Sequence, residues 1–184
     1  MKEELRKKIL SLRKSFKNSG AQSKLIAEKF FSLPEVKSSK TFLLYFPHKK
    51  EVNTLPIIRK LIKQGKKVLL PKVEKDKILP ILVSNLSQLQ RGFAGIKEPQ
   101  GKIIPKNQID IVVVPAVAYD RRGYRIGYGK GYYDRFLKDY KGLKIGLAYD
   151  FQVVDRIPYE KHDVPVDIVI TPSEIINIKE ENNA

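Results

Sequence analysis

Residues 111–137 read IVVVPAVAYDRRGYRIGYGKGYYDRFL. The run Ile111 to Val114 is apolar and β-branched throughout and closes on Pro115, which reads as a buried strand. The same sign-off recurs at Thr41–Phe46 before Pro47, Lys67–Leu70 before Pro71 and Val166–Thr171 before Pro172. Proline has no N–H to give a ladder, so it is expected to end pairing where the chain leaves a sheet. Leu143–Ala148 supplies another strand, and residues 77–83 (KILPILV) one that Pro80 makes an edge or broken strand.

Helical patterns separate these runs. Leu5, Ile9, Leu12 and Phe16 form one apolar stripe, leaving Lys2, Arg6, Arg13 and Lys17 to face water or a ligand. A second helix, opened by Ser19 or Gly20, carries Leu25, Ile26, Phe30 and Leu33. A third has Asn53 as N-cap, Leu55, Ile58, Leu61 and Ile62 on one face, and Gly65 at its end. Alternating strands and helices predict an α/β fold: a three-layer sandwich, with a largely parallel central sheet and helices on both faces. One domain over residues 1–184 is expected, with 179–184 frayed. Ligands bind such sheets beyond the carboxyl ends of the strands, so the residues after the prolines are where chemistry is expected.

Composition narrows the chemistry. Hydrophobic residues make up 42% and charged residues 30%, a globular balance. The chain has no cysteine, which excludes disulfides, a thiol nucleophile and thiolate metal sites. His48 and His162 are too few for a multi-histidine zinc centre. No apolar run approaches the ~20 residues of a membrane span, and MKEELRKK lacks the core of a signal peptide. A cytoplasmic protein without membrane contact is expected. Lys and Arg number 36 against 20 Asp and Glu, a net +16. That excess suits polyanionic partners, or else a lysine-rich surface of the kind found in heat-adapted proteins.

Four of the chain's 11 glycines fall between residues 123 and 131, among Arg121, Arg122, Arg125 and Lys130 and four tyrosines. Glycine lets backbone N–H groups converge on phosphate oxygens, and a helix starting near Tyr132 would aim its positive end at the same place. The spacing Gly127-x-Gly129-x-Gly131 is neither the dinucleotide fingerprint nor a Walker A loop, since Gly131 follows Lys130. Two other readings stand beside a phosphate loop: a glycine–tyrosine surface loop, and a single-strand nucleic-acid platform of stacking tyrosines and arginines.

The string RIGYGKGYYDRFL, residues 125–137, resembles the signature of the 5-formyltetrahydrofolate cyclo-ligase family. Further stretches match in order: Lys2 and Arg6, Glu51 after YFP, VVVPAVAYD, and HDVPVD at 162–167. The resemblance implies conversion of 5-formyltetrahydrofolate and ATP to 5,10-methenyltetrahydrofolate, ADP and phosphate, with magnesium. It places Lys2, Arg6 and the run Arg125, Ile126, Gly127, Tyr128, Gly129, Lys130, Gly131, Tyr132 and Tyr133 at ATP, with Lys130 and Arg125 catalytic. It implies Phe46, Glu51, Tyr128 and Tyr132 at the folate, with or without an extended glutamate tail, and Asp134 and Asp163 at the magnesium. Some family members carry a basic residue where this chain has Tyr128, so that charge must come from elsewhere or the tyrosine packs on substrate. No obligatory protein partner is implied, and a basic nucleic-acid-binding module is the alternative function.

Overall fold

The computed structural model describes residues 2–17, 19–48, 51–85, 89–91 and 97–179. Of the expected frayed tail only Lys179 lies among them. Helices α1 (Lys2–Ser15), α2 (Ser19–Ser32) and α3 (Pro34–Ser38) precede β1 (Thr41–Leu43). Helix α4 (Leu55–Lys63) leads to β2 (Lys67–Glu74) and β3 (Lys77–Val83). A short pair, β4 (Leu89–Arg91) and β5 (Lys97–Pro99), comes before β6 (Ile111–Val114), β7 (Ala118–Asp120) and β8 (Arg125–Ile126). Then follow α5 (Tyr132–Leu137), β9 (Leu143–Leu147), β10 (Val153–Val154), β11 (Ile168–Ile170) and β12 (Ile175–Asn177).

Seven strands form the main sheet in the order β12-β11-β9-β6-β1-β2-β3. The five inner strands are parallel, and β3 and β12 close the edges antiparallel. Side chains of β6 alternate between two apolar layers. Ile111 and Val113 meet α2, α3 and α4 through Ile26, Phe30, Val36 and Ile58, while Val112 and Val114 meet α5 through Phe136 and Leu137. Burial on both faces is why this strand is apolar at every position. The three-layer expectation is met.

The chain winds from β1 to β2 on one side, then crosses back to place β6 on the other flank of β1. Such a reversal leaves a crevice beyond the carboxyl ends of the two strands. Glu51 follows β1, and Pro115 and the glycine loop follow β6, so the fold brings both chemistry-bearing segments toward that crevice.

Several local expectations change. Strand β2 runs through Pro71 to Glu74 instead of stopping at Leu70, and Pro71 faces Pro80 of β3. The Pro80 carbonyl accepts the Ile104 N–H, so its backbone polar edge points away from β2, and a proline there costs no ladder bond. Strand β3 is accordingly the edge that Pro80 suggested. Strand β1 ends at Leu43 rather than Phe46, and β9 and β11 are each trimmed at their ends. Thr54 occupies the N-cap position of α4, while Asn53 Oδ1 accepts the Leu55 N–H one residue further on. In α1 the stripe is rotated: Arg13 is buried and Leu12 is exposed.

Candidate active site

The segment after β6 is held in shape by one buried acid. Asp120, fully buried, accepts the N–H groups of Arg122 and Tyr124 on Oδ1, and Arg122 Nη2 and the Ile157 N–H on Oδ2. Arg122 is thereby a structural residue, and Arg121 pairs with Glu174 at 2.8 Å. Gly123 at φ 87° lets the chain pass against Val166, whose N–H donates to the Gly123 carbonyl. That contact docks residues 163–166 beside β8. Arg125, on β8 and nearly buried, clamps both sides, donating to the Val164 carbonyl at 2.5 Å and to Asp134 Oδ1 at 2.7 Å. The Val164 N–H also reaches Asp134 Oδ1, at 3.1 Å.

The loop itself borders a cleft of about 270 Å³. Gly129 and Gly131 adopt φ of 97° and 70°, a left-handed backbone open to glycine and costly to other residues. Gly127, Gly129 and Gly131 line the cleft with Tyr128, Lys130 and Tyr132. Tyr133, Asp134, Arg125 and Pro115 complete that side, and Lys2 and Arg6 of α1 face it. Lys130 is exposed and, among the described residues, has no ion-pair partner. Helix α1 straps the opening: Arg6 Nε donates to the Gly127 carbonyl at 2.9 Å, its Nη1 pairs with Glu3, and Lys2 Nζ reaches Asp163 Oδ2 at 2.8 Å. Burial alone would raise the Asp163 carboxyl; the Lys2 ammonium and the Glu160 N–H outweigh it and hold the group below its ordinary value.

Four cationic side chains and a glycine-rich backbone thus converge on one small crevice, an arrangement suited to polyphosphate. Among the described residues no group of three acids or histidines is preassembled for a metal. Asp134 and Asp163 sit on segments joined by the Val164–Asp134 bond, which fits a cation that takes one or two carboxylates and completes its shell with phosphate and water oxygens.

Beyond Tyr128 the site continues toward β1. Tyr128 Oη donates to Glu51 Oε2 at 2.9 Å and accepts from Arg13 Nη1 at 2.6 Å, and the Arg13 guanidinium lies 5.6 Å from the Tyr128 ring centroid. Glu51 Oε1 accepts the His48 N–H at 2.7 Å. Burial raises the Glu51 carboxyl above its ordinary value, against the opposing pull of the His48 N–H, Tyr128 and Arg13. Sequence reasoning set Arg13 with Lys2 and Arg6 as facing water or a ligand but gave it no role in the site. Its only signal was a cation seven residues beyond Arg6, two helical turns along the same face.

Not every expected residue lines the cleft: Glu51 and Asp163 stand outside its lining, tied to it through Tyr128 and Lys2. Ile126 is buried with Ile9, Val117 and Ala118, and its carbonyl accepts the Val117 N–H, so neither its side chain nor that oxygen faces the crevice. Phe46 packs partly against the core beneath α2 and α4 and is outside the cleft lining. The tyrosines do not form a stacking platform. Tyr124 lies on Tyr159 at 4.0 Å, Tyr128 is tied to Arg13, Tyr132 lies under Arg135, and Tyr133 is half-buried, so the nucleic-acid reading is not favoured.

The sequence model of the 5-formyltetrahydrofolate cyclo-ligase family matches residues 1–172. The chain belongs to this family. The 5-formyltetrahydrofolate cyclo-ligase of Escherichia coli K12 is 32% identical over 158 residues, covering 81% of this chain and 87% of that protein. The NMR structure of Aquifex aeolicus 5,10-methenyltetrahydrofolate synthetase is 41% identical and superposes with a TM-score of 0.87, over 97% of this chain and 93% of that one. The synthetase of Mycoplasma pneumoniae is 30% identical with a TM-score of 0.77, over 93% and 98% of the two chains. This cyclo-ligase family member is an ATP-dependent ligase of folate one-carbon metabolism, and the signature of its family falls on the loop that borders the cleft.

Proposed function

We propose that this chain closes 5-formyltetrahydrofolate to 5,10-methenyltetrahydrofolate, with ATP consumed to ADP and phosphate. The observation that carries the reading is the meeting of Lys2, Arg6, Arg125, Lys130 and the 127–131 backbone in one cleft, next to the Tyr128–Glu51 pair.

The formyl oxygen must depart as the ring closes, and as hydroxide it departs poorly. Transfer of the γ-phosphoryl group to that oxygen turns it into phosphate, a competent leaving group. N10 then attacks the formyl carbon and releases its proton to solvent, the carbon–oxygen bond breaks, and phosphate leaves with the electron pair. No protein nucleophile is required, so catalysis rests on alignment and charge. Lys130 and the glycine-loop amides neutralise the triphosphate and the charge that develops in transfer. Arg125, locked by Asp134 and Val164, presents its remaining edge from a rigid strand. Lys2 and Arg6 close α1 over the nucleotide. Glu51, held by the His48 N–H and by Tyr128, accepts hydrogen bonds from pterin N–H donors, and Phe46 offers an apolar edge. Asp134 and Asp163 would hold the magnesium ion, whose charge when bound draws phosphate oxygens together. We place the enzyme in the cytoplasm as one domain over residues 1–184, acting without a protein partner.

The test is incubation of purified protein with 5-formyltetrahydrofolate and Mg-ATP. The methenyl chromophore should grow in step with ADP, one for one. ADP release that ignores the folate, or no chromophore, overturns the proposal.

A further inference from the structure

A second cleft, of about 520 Å³, lies between the β2–β3 turn and α5 and shares Tyr132 with the first. We infer that this cleft holds the aminobenzoyl-glutamate arm of the folate, with the tail carboxylates on the lysines of the β2–β3 turn. The inference rests on the function proposed above and names where the rest of its substrate goes.

The reason begins with the substrate's own shape. N5 and N10, the reacting atoms, sit in the middle of the molecule, with the pterin on one side and the aminobenzoyl-glutamate on the other. A site that holds the formyl group against a triphosphate needs an arm in each direction. The Glu51–Tyr128 pair supplies one. The glycine-loop cleft, at about 270 Å³, lies below the usual ~300–1,000 Å³ of small-ligand sites and has a nucleotide tail to accommodate. The second arm must open elsewhere, and Tyr132 borders both clefts.

The chemistry of the second cleft matches an aryl group ending in carboxylates. Its floor is apolar, with Ile78, Ile104 and Phe136 each buried. At the rim Ile103 is 52% exposed, an apolar surface that an aromatic ring would cover. Four cations, Lys75, Lys77, Lys106 and Arg135, border it against the single acid Asp76. Two of the four are engaged: Lys106 pairs with Asp139 at 2.8 Å, and Arg135 donates to the Asp76 carbonyl at 3.2 Å. Among the described residues Lys75 and Lys77 have no ion-pair partner. Lys75 opens the tight two-residue turn and Lys77 follows it, with Lys75 and Asp76 at φ of 51° and 62°. Glycine is the usual occupant of such positions, so the side chains kept there are held at a backbone cost.

The probe is p-aminobenzoyl-triglutamate, which lacks the pterin and cannot be turned over. It should bind the full chain saturably, shift amide resonances of residues 75–78, 103–106 and 132–136, and bind more weakly as salt rises. The double variant Lys75→Glu, Lys77→Glu, checked for an unchanged melting temperature, should weaken binding about tenfold. It should also raise KM for 5-formyltetrahydrofolate triglutamate about tenfold with kcat within about twofold. Absent binding, shifts confined to other residues, or indifference to the charge reversal overturns the inference. Wild-type protein that binds the probe at this cleft but makes no methenyl product overturns the proposed reaction and leaves the cleft as an aryl-carboxylate site.

Discussion

Arg13 shows how one buried cation can organise a site it does not enter. It is 5% exposed, and Tyr128 Oη is the only side-chain hydrogen-bond acceptor that its guanidinium reaches among the described residues. Tyr128→Phe leaves that donor and Glu51 each short of a partner. Urea unfolding should show a loss of about 1–2 kcal/mol, together with a higher KM for the folate. Unchanged stability would mean the contact is inert. Glu51 carries the opposite balance. Burial raises its carboxyl, so folded and unfolded states are equally protonated well below about pH 4, and stability falls as pH rises from the unfolded value to the folded one. Glu51→Gln should therefore melt higher than wild type near pH 7, the gain vanishing in acid, while its folate KM rises. Lys130, exposed on the loop, should behave differently: Lys130→Ala is expected to lower kcat on the order of 100-fold or more with no change in melting temperature.

At the scale of elements, the glycine-loop cleft depends on a docking contact that lies outside it. A methyl group at Gly123 would overlap the Val166 carbonyl, and φ there is 87°. Gly123→Ala should cost about 2–4 kcal/mol in unfolding free energy. It should also release residues 163–166, taking Asp163 from Lys2 and the Val164 bonds from Arg125 and Asp134, so activity and stability fall together. A methyl group on Gly127 would meet nothing within 4 Å, so Gly127→Ala should spare stability by comparison. Thermal melts of the two variants side by side check the contrast.

For the whole molecule, a net charge of +16 surrounds a reaction between two polyanions. Their capture should be steered by long-range attraction, so kcat/KM should fall severalfold as ionic strength rises from about 0.01 M to 0.3 M, with a smaller change in kcat. A kcat/KM flat with salt would leave the charge to solubility alone. The same surface carries Lys75 and Lys77 beside the second cleft.

Periodicity and proline placement were enough to read the α/β class from the chain, because an apolar run such as Ile111–Val114 has few other places to go than the middle of a sheet. The glycine–tyrosine string 125–137 likewise carried the family's signature in local sequence, and its Gly129 and Gly131 take the left-handed backbone that other residues avoid. The tertiary structure alone decided the rest. Arg13 turned inward because a partner on a distant loop, Tyr128, could accept its hydrogen bond, and no helical wheel contains that partner. Pro71 stayed within a strand because β3 presents Pro80 opposite it. The candidate crevice itself exists only because the chain reverses its winding between β1 and β6, which brings Glu51 and Lys130, 79 positions apart in the numbering, to the same edge of the sheet.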